Sequence, residues 1–236
     1  MNRLRWFLSI FLLVLSHVIY ASEPITFDNT YAAKLYGFNI EVTSRLTAQG
    51  SGLYEFYFDA NAALGRVTET SKFKWDSKDN YAIPQEYNYK RSGVGKNRNL
   101  QLAFDWNANQ VSNSEKKTQI PLEPGKKIQD SLSYQVQLHQ DLVAGKKKFS
   151  YFITNGKKVR EYKFEIDGEE VLDTPLGKVN SVRVKRVQTS DERETYAWFA
   201  KDFQYLLVRL QQEENGSAYT IYISKASING KAIDHF

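Results

Sequence analysis

The stretch IQDSLSYQVQLHQDLVAG, residues 128–145, fits two periods, and the choice between them decides the fold. Leu132, Tyr134, Val136 and Leu138 alternate as in a strand, whereas Leu132, Val136, His139 or Leu138, Leu142 and Val143 recur at helical spacing. The stretch is long for a single strand, Asp130 stands where an N-cap belongs, and Gly145 stands where a helix stops. Spacing and flanks together predict a helix near 130–144.

Everything around that helix alternates with a period of two. In LYEFYFDA (53–60), Tyr54, Phe56 and Phe58 point one way and Glu55, Tyr57 and Asp59 the other. LQLAFDW (100–106) sets Leu100, Leu102, Phe104 and Trp106 opposite Gln101 and Asp105, and REYKFEI (160–166) sets Tyr162, Phe164 and Ile166 opposite Glu161, Lys163 and Glu165. KFSYFIT (148–154), SVRVKRV (181–187), TYAWFA (195–200), YLLVRLQ (205–211) and AYTIYIS (218–224) read as further strands. The expected fold is mostly β: a long curled antiparallel sheet, half-barrel or barrel, with one covering helix near 130–144.

Turn residues punctuate these runs. Asn155-Gly156 is a dipeptide favoured in tight type I′ hairpins, and Asp167-Gly168 and Asn215-Gly216 sit at comparable joints. In DTPLGKVNSVRVKRV (173–187), Pro175 supplies the fixed φ of a turn's second position and Gly177 can take the left-handed conformation that closes a bulged loop. Residues 169–187 therefore read as strand, turn, strand.

Arg3 and Arg5 precede an apolar run, Phe7–Leu15 broken by Ser9, which resumes at Val18 and leads to Ala21-Ser22. This is the order of a signal peptide, residues 1–21, cleaved after Ala21. Residues 22–236 then form a single β-rich domain, since no Pro/Gly/Ser-rich linker divides them. The chain has no cysteine, which removes disulfides, thiol nucleophiles, Cys-ligated metals and lipoprotein acylation. An exported, periplasmic protein fits better than a secreted eukaryotic one. The 32 Lys and Arg against 27 Asp and Glu lose two cations with Arg3 and Arg5, a mild basicity that speaks against nucleic-acid binding.

Three elements in order, DSLSYQVQLHQDL (130–142), GEEVLDTPLGKVNSVRVKR (168–186) and ETYAWFAKDFQYLLVRL (194–210), resemble an exported bacterial family catalogued as domain of unknown function 3108. The resemblance implies a periplasmic β-sheet domain and brings no catalytic residues with it. AWFAKDFQYL departs from the family pattern, in which a Pro often follows the acidic residue; Gln204-Tyr205 stands there instead. The plan of a curled sheet with one helix is also distantly similar to the half-barrels of periplasmic lipoprotein carriers, a likeness of architecture alone.

The inventory for chemistry is thin. His139 and His235 are the histidines beyond the signal peptide, no Gly-x-Ser-x-Gly elbow presents a serine, and zinc lacks clustered ligands. Asp167, Glu169, Glu170 and Asp173 crowd one hairpin, and Asp191, Glu192 and Glu194 the next turn; a wall-glycan enzyme would have to use such carboxylates, but solvated turns explain them. No cofactor or metal is expected. Lysine pairs at 116–117, 126–127 and 157–158 and the triplet at 146–148 suit sheet edges, or peripheral contact with anionic lipid head groups.

The aromatic surplus, 14 Phe, 15 Tyr and 4 Trp, exceeds what one helix can cover, so the sheet either fills its interior or leaves an apolar trough. The expected function is non-enzymatic: binding a lipid, an acylated ligand or another apolar envelope component. Phe56, Phe104, Trp106, Phe164 and Trp198 are the expected lining, with Arg183 and Lys185 as head-group contacts. The alternatives are a protein-interaction module with an envelope protein partner and, further off, the glycan-acting enzyme.

Overall fold

The computed structural model describes residues 23–35, 38–63, 65–93, 96–187, 193–214 and 217–236. The expected signal peptide (1–21), Asp191, Glu192 and the expected turn at Asn215-Gly216 lie outside the described residues.

Eight strands come first: β1 (Phe27–Leu35), β2 (Phe38–Gly50), β3 (Leu53–Ala62), β4 (Gly65–Asp76), β5 (Tyr81–Gly93), β6 (Arg98–Asp105), β7 (Gln110–Asn113) and β8 (Thr118–Pro121). The two-residue β9 (Ile128–Gln129) leads into helix α1 (Ser133–Val143). After it come β10 (Lys148–Thr154), β11 (Val159–Thr174), β12 (Gly177–Val187), β13 (Arg193–Ala200), β14 (Leu206–Glu214), β15 (Ser217–Ile228) and β16 (Lys231–Ile233). They form one 16-stranded sheet in the order β8 back to β1, then β15 back to β9, with β16 beside β15. All pairings are antiparallel except β9 with β10. The chain is thus two meanders joined where β1 pairs with β15, and the sheet's two ends, β8 and β9, are consecutive in sequence.

Those ends curl towards each other, and side chains rather than a backbone ladder span the gap. Gln129 Nε2 donates to the Ala82 carbonyl at 2.9 Å, and Tyr81 Oη to the Ile128 carbonyl at 3.1 Å. The Gln137 amide accepts from the Ala82 N–H and donates to the Asn80 carbonyl. Further along, Asn113 Nδ2 donates to the Gly156 carbonyl at the β10–β11 turn. Burying amides costs several kcal/mol unless they are bonded, and here those bonds set where β9 and α1 must lie.

Helix α1 stops where its flank predicts but starts later: its N-cap is Leu132, and Asp130, two residues ahead, closes the turn that leads into it. Asp130 Oδ1 accepts the N–H groups of Leu132 and Ser133, while Ser133 Oγ accepts the Asp130 N–H. At the other end Lys146 N–H reaches the Asp141 carbonyl and Gly145 N–H the Leu142 carbonyl, the Schellman arrangement that Gly145 permits at φ +78°. Leu132 and Val136 enter a core built on β3–β7, and Leu138 and Leu142 a second built on β10–β12 with Phe199. One short helix therefore joins both meanders.

Two turn expectations need correcting. Asp167-Gly168 makes no turn: β11 runs through it, and Asp167 is the extra residue of a bulge opposite β12, where its carboxylate accepts a bond from Arg183. Asn155-Gly156 belongs to a longer connection, since Thr154 pairs with Val159 and Asn155 Oδ1 caps the N–H groups of Lys157 and Lys158. The Pro175 turn is as expected, with Thr174 opposite Gly177 at φ +113°. It is packed beneath the carboxy terminus: Phe236 N–H donates to the Leu176 carbonyl, and a Cβ on Gly177 would fall 2.1 Å from the His235 ring.

Asp130 is fully buried, and its Oδ2 accepts the Ser71 hydroxyl at 2.7 Å. Burial, opposed by those bonds, raises its carboxyl above the ordinary value. Glu69, bonded by the Tyr87 hydroxyl, is raised for the same leading reason. Both groups hold their protons more tightly folded than unfolded. Their contribution to stability is complete below the unfolded carboxyl values, about 4, and is lost as pH rises through the folded ones. Glu69→Gln is therefore expected to flatten the pH profile, its urea midpoint gaining on the parent's as pH rises from about 4 to about 8. Asp130→Ala, which orphans three donors, should cost about 2 kcal/mol or more in the same denaturation experiment.

Candidate functional site

Between the concave face of the sheet and α1 lies a cavity of about 370 Å³, within the roughly 300–1,000 Å³ range of small-molecule sites. Strand register explains its walls. Side chains one residue apart point to opposite faces, so each cross-strand row is either concave or convex. One concave row runs Ile166, Val184, Ala197, Leu210, Ile221 across β11–β15 and is apolar throughout. Phe199 and Leu207 form the neighbouring row, and Phe27, Leu46 and Phe56 close the side towards β1–β3. Tyr134, Gln135, Leu138 and His139 of α1 form the roof.

The row beyond the apolar one has a different chemistry. Phe164 pairs with Arg186, Thr195 with Gln212, and Gln212 with Tyr219, so an Arg, a Thr and a Gln border the cavity side by side on β12, β13 and β14. The Arg186 guanidinium lies 3.7 Å from the centre of the Tyr162 ring. Thr195 Oγ1 is buried without a hydrogen-bond partner among the described residues.

His139 Nε2 donates to the Gln204 carbonyl at 2.7 Å, so that nitrogen carries the proton. Burial depresses the imidazole's pKa against the pull of that bond, which keeps the ring neutral near pH 7. The carbonyl is offered by a bend in which Gln204 and Tyr205 both take positive φ. Burial pushes the Tyr134 hydroxyl up to about 12, so it is un-ionised as well.

The residues singled out from sequence divide. Phe56 and Phe164 line the cavity. Phe104 and Trp106 are concave too but lie in the core of β3–β7, stacked 5.9 Å apart, with Trp106 Nε1 bonded to the Pro84 carbonyl at 2.7 Å. Trp198, expected to face inward, is on the other face of β13: it pairs with Arg183 while Ala197 pairs with Val184. There it is buried among Leu172, Val179 and Val208, under the Arg209 guanidinium, with Nε1 bonded to Glu170 at 2.6 Å. Both faces of β13 are apolar, and the larger rings misled the choice of face.

Arg183 and Lys185 share that convex face, so neither borders the cavity. Arg183 is paired with Asp167 at 3.0 Å and Glu170 at 3.6 Å, and Lys185 lies 5.9 Å from the Tyr196 ring. Arg186 is the charged residue the sequence reading passed over. Parity already set it opposite Arg183 and Lys185, and only the identity of the concave face was missing. The hairpin carboxylates are engaged as well, Glu169 with Lys201 at 2.6 Å and Asp173 with Lys178 at 3.9 Å. Among the described residues no cluster of three His, Asp or Glu is arranged to hold a metal ion.

A curled antiparallel sheet, roofed by one helix over a mainly apolar cavity, defines the class of protein. The chain belongs to the family described as protein of unknown function (DUF3108), whose model matches residues 23–224. The comparison with curated proteins gives no match. Among solved structures, the chain is similar to a beta-barrel-like protein of the domain of unknown function DUF1849 from Brucella abortus, with TM-score 0.59 and 10% identity over 88% of this chain and 99% of that one. A DUF1089 family protein from Pseudomonas aeruginosa gives TM-score 0.38 and 14% identity over 71% of this chain and 87% of that one. The first likeness establishes a shared beta-barrel-like fold and nothing about ligands.

Because Trp198 is packed and bonded in a core, Trp198→Ala is expected to cost about 3–5 kcal/mol of stability, measured by denaturant unfolding. Any loss of binding in that variant should follow the loss of fold.

Proposed function

We propose that this chain is an exported, non-enzymatic binding protein that holds an apolar chain, such as the acyl tail of a lipid or of an acylated molecule, in the cavity under α1. The observation that carries the reading is the cavity itself. Its walls come from seven strands and a helix and are apolar over the Val184–Ala197–Leu210 and Phe199–Leu207 rows; Arg186, Thr195 and Gln212 lie together at one border, while Asn29 and Ser44 on β1 and β2 and Gln135 and His139 in the roof add scattered polar groups. A sheet of this kind that only needed a core would bring its concave side chains into contact with the helix. The amino-terminal segment, with its cations, apolar run and small residues, supports export to the periplasm.

Holding a chain in such a site stabilises the complex by the apolar area removed from water, about 25 cal/mol per Å². No bond needs to be made or broken, and the acids Glu69, Asp130 and Asp141 are occupied by Tyr87, by Ser71 and backbone N–H groups, and by Tyr151 and Lys146.

Native mass spectrometry of the mature protein, purified from the periplasm without detergent, tests the reading. An added mass matching a lipid is expected. A clean protein mass that persists after incubation with envelope lipids would overturn it and favour a protein partner instead. Filling the cavity gives a second test. Ala197→Phe and Leu210→Trp, both on the apolar row, should weaken binding of a fluorescent acyl probe by about tenfold or more, roughly 1.4 kcal/mol, at a cost in stability of about 1–3 kcal/mol.

A further inference from the structure

We infer that the ligand is an anionic amphiphile, whose carboxylate or phosphate head is held at the Arg186, Thr195 and Gln212 border while its tail lies along the Val184, Ala197 and Leu210 row. This rests on the preceding reading and adds the chemistry of the head group.

Three observations carry it. Arg186 is charged and lines the cavity, and among the described residues it forms no ion pair; its guanidinium lies over the Tyr162 ring. Stacking occupies the face of a guanidinium and leaves the N–H edge free to donate to an anion. By contrast, Arg183, Arg45 and Arg66 on other surfaces each have a carboxylate within 3.0 Å.

Next to it, Thr195 Oγ1 has no partner among the described residues, and Gln212 adds an amide on the adjoining strand. An arginine, a hydroxyl and an amide in one row are donors that a carboxylate or phosphate accepts, and a neutral alcohol or ester accepts fewer of them.

Among the described residues, no carboxylate is paired with the Arg186 charge. Around the cavity, burial keeps the Tyr134 hydroxyl un-ionised and the His139 ring neutral. Half-buried Glu69 accepts from Tyr87, buried Asp130 from Ser71 and backbone N–H groups, and buried Asp141 from Tyr151 and Lys146. A cation bordering an apolar cavity is costly to desolvate alone, and an anionic head supplies the missing partner.

The test compares probes of one chain length on the purified, delipidated mature protein: hexadecanoate, hexadecyl phosphate, hexadecanol and, separately, inorganic phosphate. The parent is expected to bind one or both anions at least about tenfold more tightly than the alcohol. Whichever anion is tighter identifies the head. Arg186→Gln should remove most of that preference while changing alcohol affinity far less, and Arg186→Lys should keep part of it.

Equal binding of acid, phosphate ester and alcohol by the parent would overturn the inference while leaving the acyl-binding reading intact. A preference that survives in Arg186→Gln would overturn it too. If none of the three chains binds, the underlying reading itself fails. Displacement of bound hexadecanoate by inorganic phosphate alone would show a plain anion site and not a head-group site. Should Arg186→Gln not fold, the ratio of acid to alcohol affinity in the parent decides the matter alone.

Discussion

A sheet that curls without closing its ladder leaves a concave apolar face and an open seam, and in this chain one eleven-residue helix has to serve both. Its position is set at the N-terminus by Asp130, whose carboxyl joins the α1 cap to Ser71 on β4. Gln129 and Gln137 then take over the main-chain groups of Asn80 and Ala82 at the start of β5. These are buried polar bonds, weak in net terms when made and expensive when missing. They therefore fix where the helix goes more than they add to total stability. Gln140 and Asp141 continue the polar side of the helix, and the Tyr151 hydroxyl on β10 donates to Asp141 at 2.8 Å.

The cavity follows from that placement. With its first turn held against β4 and β5 and its last turn packed on β10 and β12, α1 bridges the sheet and does not sink onto β1, β13 and β14. The side chains beneath it on those strands, Ala197 among them, are too small to fill the distance. The bulges matter in the same way. At Trp198/Phe199 and at Ile166/Gly168 the register shifts by one residue, which turns the strands and reassigns faces along their length. The apolar rows and the Arg186 row are products of that register.

The shared fold with the DUF1849 protein at 10% identity fits this division of labour. A curled sheet is specified by alternation, turn residues and bulges, which many side chains satisfy. The chemistry of the border depends on a few positions, Arg186, Thr195 and Gln212, which the fold does not constrain. Two chains can thus agree closely in path and differ entirely in what they accept.

By itself, the sequence determined the elements. Alternation announced β3, β6, β10 and β12–β15, Asp130 marked the turn into α1 and Gly145 its stop, and Thr174-Pro175-Leu176-Gly177 specified its turn. Each of those signals acts over a few residues, through side-chain period, a cap or a fixed φ. It also fixed that Arg186 opposes Arg183 and Lys185, because parity along one strand is local. Tertiary structure alone decided which of the two faces is concave, and with it that Arg186 and not Arg183 or Lys185 borders the cavity, and that Trp198 belongs to a core. It likewise made Asp167-Gly168 a bulge within β11, where the same dipeptide elsewhere would turn the chain. Face and register depend on pairing between strands far apart in sequence, and a single inserted residue reverses them, so no local pattern can report the outcome.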